Sequence, residues 1–286
     1  MLVARANGKV NLGLEIIRRM SDGYHEVVTI LQQIDLSDRL TFQPAKTLSV
    51  VTDGEGLNGE NNLVWRAAEL LRSTARVKRG AEISLEKRIP IAAGLGGGSA
   101  DAAVTLLALN ELWGLGWSEA DLTSLATGLG SDVAFFLTGG TQLATGRGQF
   151  VEPLPTPALW VVLAPISDKG PNKTKLLYES LRSDDFTDGT HTRQLAASLR
   201  NGGDTSLQGL TSGFQRATLE RFSAVGTVFE AMRQVGAHPQ LCGAGPTVMS
   251  LHDTKETAER VAAALRLAGL DTDVARSVAA GSWKLV

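Results

Sequence analysis

One cysteine, Cys242, in 286 residues excludes an internal disulfide and a metal site built from thiolates alone. That scarcity favours an intracellular, cytoplasmic protein. No apolar run approaches the ~18–20 residues of a membrane span, and the start, MLVARANGKVNLGLEI, reads as a folded strand without a signal-peptide pattern. The four histidines lack metal-ligand spacing: His25-Glu26 is followed by Thr29 where a zinc helix needs its second histidine, and His191, His238 and His252 stand apart. Charge of one sign is also missing. A net charge of −2 and a pI of about 6.1 leave no broad basic field for nucleic acid or a membrane surface, although a local basic pocket stays open. Only two tyrosines occur, Tyr24 and Tyr178. Nine prolines against 31 glycines point to tight turns, not linkers, and no repeat or low-complexity tract is found.

What is present suffices for a core: 43% hydrophobic and 20% charged residues exclude disorder, and the length fits one large domain or two modest ones. Residues 9–16, 26–34, 38–43, 47–52 and 81–86 are strand-like. A helix over 62–74 is capped by Asn61 or Asn62. An Ala/Leu-rich helix spans 99–113, with Gly114 placed to end it. Ser118 and Asp121 form a capping box for a helix closed by Gly128, and Ser131 caps a short helix over 131–137. Pro153, Pro155 and Pro157 mark a boundary, dividing the chain into domains 1–154 and 155–286. Beyond it follow a buried strand (LWVVLAP), helices near 174–183, 214–223 and 226–235, a strand at 247–251, a helix headed by Asp253 and Glu256 and ended by Gly269, and a returning strand at 271–279. This mixture predicts an α+β second domain.

The chemically informative segment is IPIAAGLGGGSADAA, residues 89–103. Gly94, Gly96, Gly97 and Gly98 lead into a helix, whose first N–H groups are unpaired and carry partial positive charge. Glycines let that backbone wrap an anion, so the pattern reads as a phosphate cradle in which the Ser99 hydroxyl can reach a phosphate oxygen or a phosphate-bound Mg²⁺. A flexible turn is the bland alternative. A P-loop is excluded, because Val3 and Val10 stand where it needs Gly and Ser/Thr around Gly8-Lys9. A dinucleotide fold is disfavoured by Lys87, Arg88 and Pro90 between strand and glycines. Protein-kinase motifs are absent.

PIAAGLGGGSADAA resembles the central phosphate-binding motif of the GHMP kinases. GKVNLGLEIIRRMSDGYHEVVTILQQIDLSD, GLGSDVAFFLTGGTQLATGRG and CGAGPTVMSL are similar to the branch of that group acting on a cytidylated methylerythritol. The resemblance implies a two-domain α+β GHMP kinase fold, with an N-terminal α/β domain like ribosomal protein S5 and a ferredoxin-like C-terminal domain around a cleft. It implies transfer of the ATP γ-phosphoryl group to a tertiary alcohol, in the non-mevalonate isoprenoid pathway; the sequence does not give the oligomeric state, and a monomer or weak homodimer is the expectation. Three departures stand out: Gly8 replaces the usual Ala, residues 212–215 are SGFQ, and the late loop is Cys242-Gly243-Ala244-Gly245.

A crowded alcohol needs positioning, charge stabilisation and a proton acceptor. By position alone Asp132 is a helix-dipole partner and Lys9 a solvated strand residue; the resemblance makes them the catalytic pair, the cation keeping the acid ionised. The resemblance likewise puts Asn62, Gly94, Leu95, Gly96, Gly97, Gly98, Ser99 and Ala100 on ATP, although Asn62 is equally a helix cap. It puts Asn11, Tyr24, His25, Tyr178 and Gly243 on the substrate. Tyr24 and Tyr178 offer stacking faces for cytosine and His25 a polar edge, against the alternative that each ring only packs. The loop Gly243–Thr247 faces the substrate or closes the cleft, or is a plain turn. Mg²⁺ is expected to arrive with ATP, held mainly by phosphates. Two alternatives remain: a homoserine- or mevalonate-type kinase of the same group, and a non-catalytic nucleotide-binding protein on the same fold.

Overall fold

A computed structural model describes residues 1–57, 59–166, 173–202 and 212–283. β1 (Leu2–Arg19) and β2 (His25–Ala45) form a long antiparallel hairpin. Its turn closes with Gly23 at φ +87° and the Tyr24 N–H donating to Asp22 Oδ1. Both strands are buried over most of their length, so in β1 the polar Lys9, Asn11 and Glu15 are buried along with the alternating Val10, Leu12, Leu14 and Ile16. The 38–43 run, expected as a separate strand, is the continuation of β2.

β3 (Ser49–Thr52) leads to α1 (Leu63–Thr74), and β4 (Gly80–Glu86) runs parallel to β3 and pairs with the second half of β2. Then come α2 (Gly97–Leu112), α3 (Glu119–Leu129), α4 (Ser131–Thr138), β5 (Thr141–Gly146) and β6 (Phe150–Leu154). β5 pairs with the first half of β2. The sheet order is β3-β4-β2-β5-β6, with β1 on the other side of β2. Val64, Ala67 and Leu71 of α1 and the Ala/Leu face of α2 bury against Phe42, Ile83 and Leu85 of this sheet.

The second sheet has order β10-β7-β9-β8 and is antiparallel throughout. It comprises β7 (Trp160–Ala164), β8 (Gln240–Leu241), β9 (Val248–His252) and β10 (Asp273–Arg276). Between them lie α5 (Lys173–Glu179), α6 (Thr190–Arg200), α7 (Gln215–Arg221), α8 (Ser223–Gln234) and α9 (Lys255–Leu267). The path β7–α8–β8–β9–α9–β10 with that order is the ferredoxin-like split βαβ arrangement. The sheets join where the Val278 N–H donates to the Gln33 carbonyl and Arg276 N–H to Asp35. Among the described residues no helix is long and apolar enough to cross a membrane.

The local signals hold where a side chain satisfies the helix start. Asn62 accepts from the Val64 N–H, and Ser118 and Asp121 make the reciprocal box. Elsewhere the ends shift. Gly130, not Ser131, precedes α4, and α3 runs past Gly128 to Leu129. Thr254, not Asp253, caps α9 by accepting from Thr257. α2 begins two residues early, so Gly97 and Gly98 form its first turn. α6 was not anticipated. Its buried stripe, Thr192, Leu195, Ala196 and Leu199, is short and follows a polar, Gly-led start.

Candidate active site

The glycine-rich turn is shaped by backbone that only glycine adopts readily: Gly94 has φ +86° and Gly96, at the start of α2, φ +72°. A methyl group on Gly94 would stand 2.7 Å from the Gly245 carbonyl oxygen, so this glycine lets the late loop close onto the turn. Thr247 Oγ1 donates to the Ala93 carbonyl, and Lys173 Nζ donates to the carbonyls of Ala92 and Gly245. The late loop is therefore packed against the glycine turn and is not an isolated turn. Gly98 is different: among the described residues a Cβ there meets only Leu63 Cδ1, at 3.6 Å.

A cavity of about 410 Å³ lies against this turn, bordered by Asn62, Lys87 and residues 94–99. Gly97, Gly98 and Ser99 open α2, where N–H groups have no partner within the helix. Ala100 does not border the cavity: its N–H is spent on the Gly96 carbonyl and its side chain is buried in the core. Asn62 is a cap, and its Nδ2 also donates to the Leu57 carbonyl, yet it lines the cavity as well. Beneath the turn Lys87 bridges Asp38 and Asp101. Burial opposes the Lys87 ammonium, but the Asp101 and Asp38 carboxylates outweigh it and hold its pKa above the ordinary lysine value. Burial, followed by the charge of Asp38, pushes Asp101 up to about 7 despite Lys87. Among the described residues Asp101 Oδ1 has no hydrogen-bond partner.

A second cavity, about 630 Å³, is bordered by Lys9, Asn11, Gly94, Gly96, Asp132, Tyr178 and Gly243. Lys9 Nζ donates to Asn11 Oδ1 at 2.9 Å, Asn11 Nδ2 to Thr29 Oγ1, and Thr29 Oγ1 to the Gly13 carbonyl. This chain holds the ammonium in place. Lys9 and Asp132 share the cavity, but the expected acid–cation contact is absent: among the described residues no ion pair joins them, because the ammonium is turned to Asn11. Asp132 sits in the first turn of α4, where the helix dipole favours a carboxylate.

The departures from the family pattern have structural roles here. A Cβ on Gly8 would lie 3.2 Å from the Leu95 carbonyl oxygen and 3.3 Å from Ile89, so glycine admits a close approach of the turn to β1. That approach is fixed by the Lys9 N–H donating to Leu95. Ser212 of SGFQ donates to the Gly243 carbonyl, and Phe214 packs edge-on against Tyr178, 4.8 Å between centroids. Cys242 is fully buried, and burial pushes its thiol up, so it stays neutral packing.

A third cavity, about 1260 Å³, is bordered by Tyr24, His25, Asp132, Arg147 and Tyr178. His25 stacks on Tyr178 at 4.8 Å and 24°. Burial, with Arg19 second, lowers the His25 pKa, so at neutral pH the ring carries one donor and one acceptor. Burial and the nearby Asp132 charge push Tyr178 up to about 12, which keeps its hydroxyl protonated. Tyr24 is 60% exposed and lies under the Arg147 guanidinium, 4.1 Å from its centroid.

Apart from Ala100, the fold thus gathers the residues singled out above into three adjoining cavities, with Asp132 on the border of two. Sequence reasoning missed Lys87, Asp38, Asp101 and Arg147. Lys87 carried only a weak signal, a lysine seven positions before the first glycine of the turn. Asp38 and Asp101 had none, since their meaning depends on a partner far along the chain.

Residues 62–140 match the GHMP kinases N terminal domain and residues 193–270 the GHMP kinases C terminal family. The chain is 40% identical over 264 residues to a 4-diphosphocytidyl-2-C-methyl-D-erythritol kinase of Dehalococcoides mccartyi, covering 91% of this chain and 93% of that one. It is 41% identical over 272 residues to the enzyme of the same name from Pelotomaculum thermopropionicum, covering 93% and 94%. Among solved structures, a 4-(cytidine 5'-diphospho)-2C-methyl-D-erythritol kinase superposes with TM-score 0.83 at 34% identity, over 96% of this chain and 98% of that chain. A homoserine kinase from Cytophaga hutchinsonii, at 20% identity and TM-score 0.74, covers 100% of this chain and 97% of its own and shares the fold.

Proposed function

This chain belongs to the 4-diphosphocytidyl-2-C-methyl-D-erythritol kinase family of the GHMP kinases, and from that premise we propose that it transfers the ATP γ-phosphoryl group to the 2-hydroxyl of 4-diphosphocytidyl-2-C-methyl-D-erythritol. The observation that carries this reading is the position of Asp132, which borders both the cavity holding Lys9 and the glycine turn and the cavity holding the aromatic rings.

The ATP phosphates sit at the start of α2, with Gly96–Ser99 supplying N–H donors and Asn62 flanking the nucleoside. The cytosine ring packs on Tyr24 and Tyr178, and neutral His25 meets its edge. Asp132 accepts the proton of the 2-hydroxyl as that oxygen bonds to the γ-phosphorus and ADP departs. Lys9, held by Asn11, offsets the charge that develops on the transferred group. Among the described residues no three His, Cys, Asp or Glu side chains converge on a metal position. Mg²⁺ accompanying ATP would be held chiefly by phosphates, with the Ser99 hydroxyl a protein oxygen bordering the same cavity, and would neutralise phosphate charge. In this reading domains 1–154 and 155–286 flank the cleft of a cytoplasmic monomer or weak homodimer.

The test is phosphoryl transfer to the cytidylated alcohol, to homoserine and to mevalonate. The cytidylated alcohol is the expected acceptor, and Asp132→Asn should lower kcat by two orders of magnitude or more with ATP affinity nearly unchanged. Preference for homoserine or mevalonate, or near-wild-type turnover by Asp132→Asn, overturns the reading.

A further inference from the structure

Arg147 stands on the β5–β6 turn between Gly146, at φ +71°, and Gly148, at φ +97°. Its guanidinium lies over the Tyr24 ring and pairs with Asp22. Both members of that pair are more than two-fifths exposed, at 42% and 44%. An ion pair so exposed contributes little, so neither partner locks the guanidinium.

Arg147 borders both the cavity of Lys9 and Asp132 and the cavity of Tyr24, His25 and Tyr178. Among the described residues few cations share that position. Lys9 borders only the first, and its ammonium donates to Asn11. Arg19 and Arg182 border only the second. Lys173 borders only the first and donates to two backbone carbonyls. Lys175 borders both but is 74% exposed and faces Glu179 at 3.9 Å.

The reading above sets a base at the rings and a reacting hydroxyl at Asp132. A diphosphate linking the two must cross the border between the cavities, past the acids Asp22 and Asp132. A planar guanidinium at that border matches a diphosphate better than a solvated ammonium, because its parallel N–H groups bond two oxygens at once.

We propose that Arg147 is the diphosphate-reading residue of this site, gripping the diphosphate of a pyrimidine nucleoside diphosphate and so favouring a cytidylated alcohol over a plain one. The assignment rests on the functional reading above, and the experiment separates the two. Calorimetric titration with cytidine and with CDP is carried out on the whole chain as wild type, Arg147→Ala, Arg147→Lys and Lys175→Ala. Wild type should bind CDP more tightly than cytidine. Arg147→Ala should lose about tenfold or more in CDP affinity while binding cytidine as well as wild type or better, since the Tyr24 face is uncovered. Arg147→Lys should recover only part of the loss, and Lys175→Ala should fall less than Arg147→Ala. Matching thermal melts verify folding. CDP affinity unchanged by Arg147→Ala, cytidine and CDP affinity lost in equal proportion, or a larger loss in Lys175→Ala each overturns the assignment and leaves the functional reading standing. Wild type binding neither ligand overturns both.

Discussion

Gly98→Ala adds one methyl group at the second residue of α2, and the structure predicts opposite effects on folding and on nucleotide binding. Among the described residues the new Cβ would meet only Leu63 Cδ1 at an ordinary 3.6 Å, and the backbone there is helical, so none of them is strained. Ala loses less backbone entropy than Gly on folding, which stabilises the free protein by at most about 0.5–1 kcal/mol. For a chain of this size that raises Tm by roughly 1–4 °C. The methyl would, however, project where Gly98 borders the glycine cavity and where a phosphate oxygen must approach the helix N–H groups. A tenfold loss of ATP affinity removes about 1.4 kcal/mol of ligand-induced stabilisation at saturation. That exceeds the gain in the free protein. The two melting curves should therefore exchange order: the variant melts higher without nucleotide, and wild type melts higher with excess MgATP. Differential scanning calorimetry at both conditions, with titration for the ATP Kd, reads this directly. A variant that melts lower without nucleotide, or that keeps the full ATP-induced shift, refutes the placement of phosphate at this turn.

Tyr178→Ala should weaken binding of the cytidylated substrate by about 1–3 kcal/mol, the scale of base–aromatic stacking, read as a rise in KM with ATP KM unchanged. It should also lower stability, because the ring packs on Phe214 and His25. Asp101→Asn should flatten the pH dependence of stability. The folded pKa of Asp101 is raised to about 7 by burial and by Asp38, so the folded state holds a proton that the unfolded chain releases near pH 4. Wild-type stability then falls as pH rises from about 4 to about 7, and urea denaturation at pH 5 and pH 8 should give a smaller difference for the variant. An equal difference would show that Asp101 is not the group that titrates.

Much of the site was legible in short stretches of chain. Four glycines before an Ala/Leu-rich helix announce backbone donors for phosphate, since both the positive-φ geometry and the helix start are local properties. Asn62 and the Ser118–Asp121 box mark helix starts for the same reason. The family segments around Lys9, Tyr24 and Asp132 pointed to the chemistry that each residue type alone left open. Where a terminus had competing candidates, as at Gly128–Ser131 or Asp253–Thr254, the winner was set by which groups the folded neighbours left to be satisfied.

The sequence by itself determined that a glycine turn feeds a helix, and it named candidate groups for a phosphoryl-transfer site. Only the tertiary structure decided how those groups meet. Thr247 reaches Ala93 across 154 positions, Lys87 finds Asp38 across 49, and Lys9 turns to Asn11 instead of Asp132. Such pairings arise because β2 runs between β1 on one side and β4 and β5 on the other, while the second sheet closes the late loop over the turn. Local propensity acts over a few residues and carries no information about which distant carbonyl, carboxylate or ring will stand opposite when the sheets assemble.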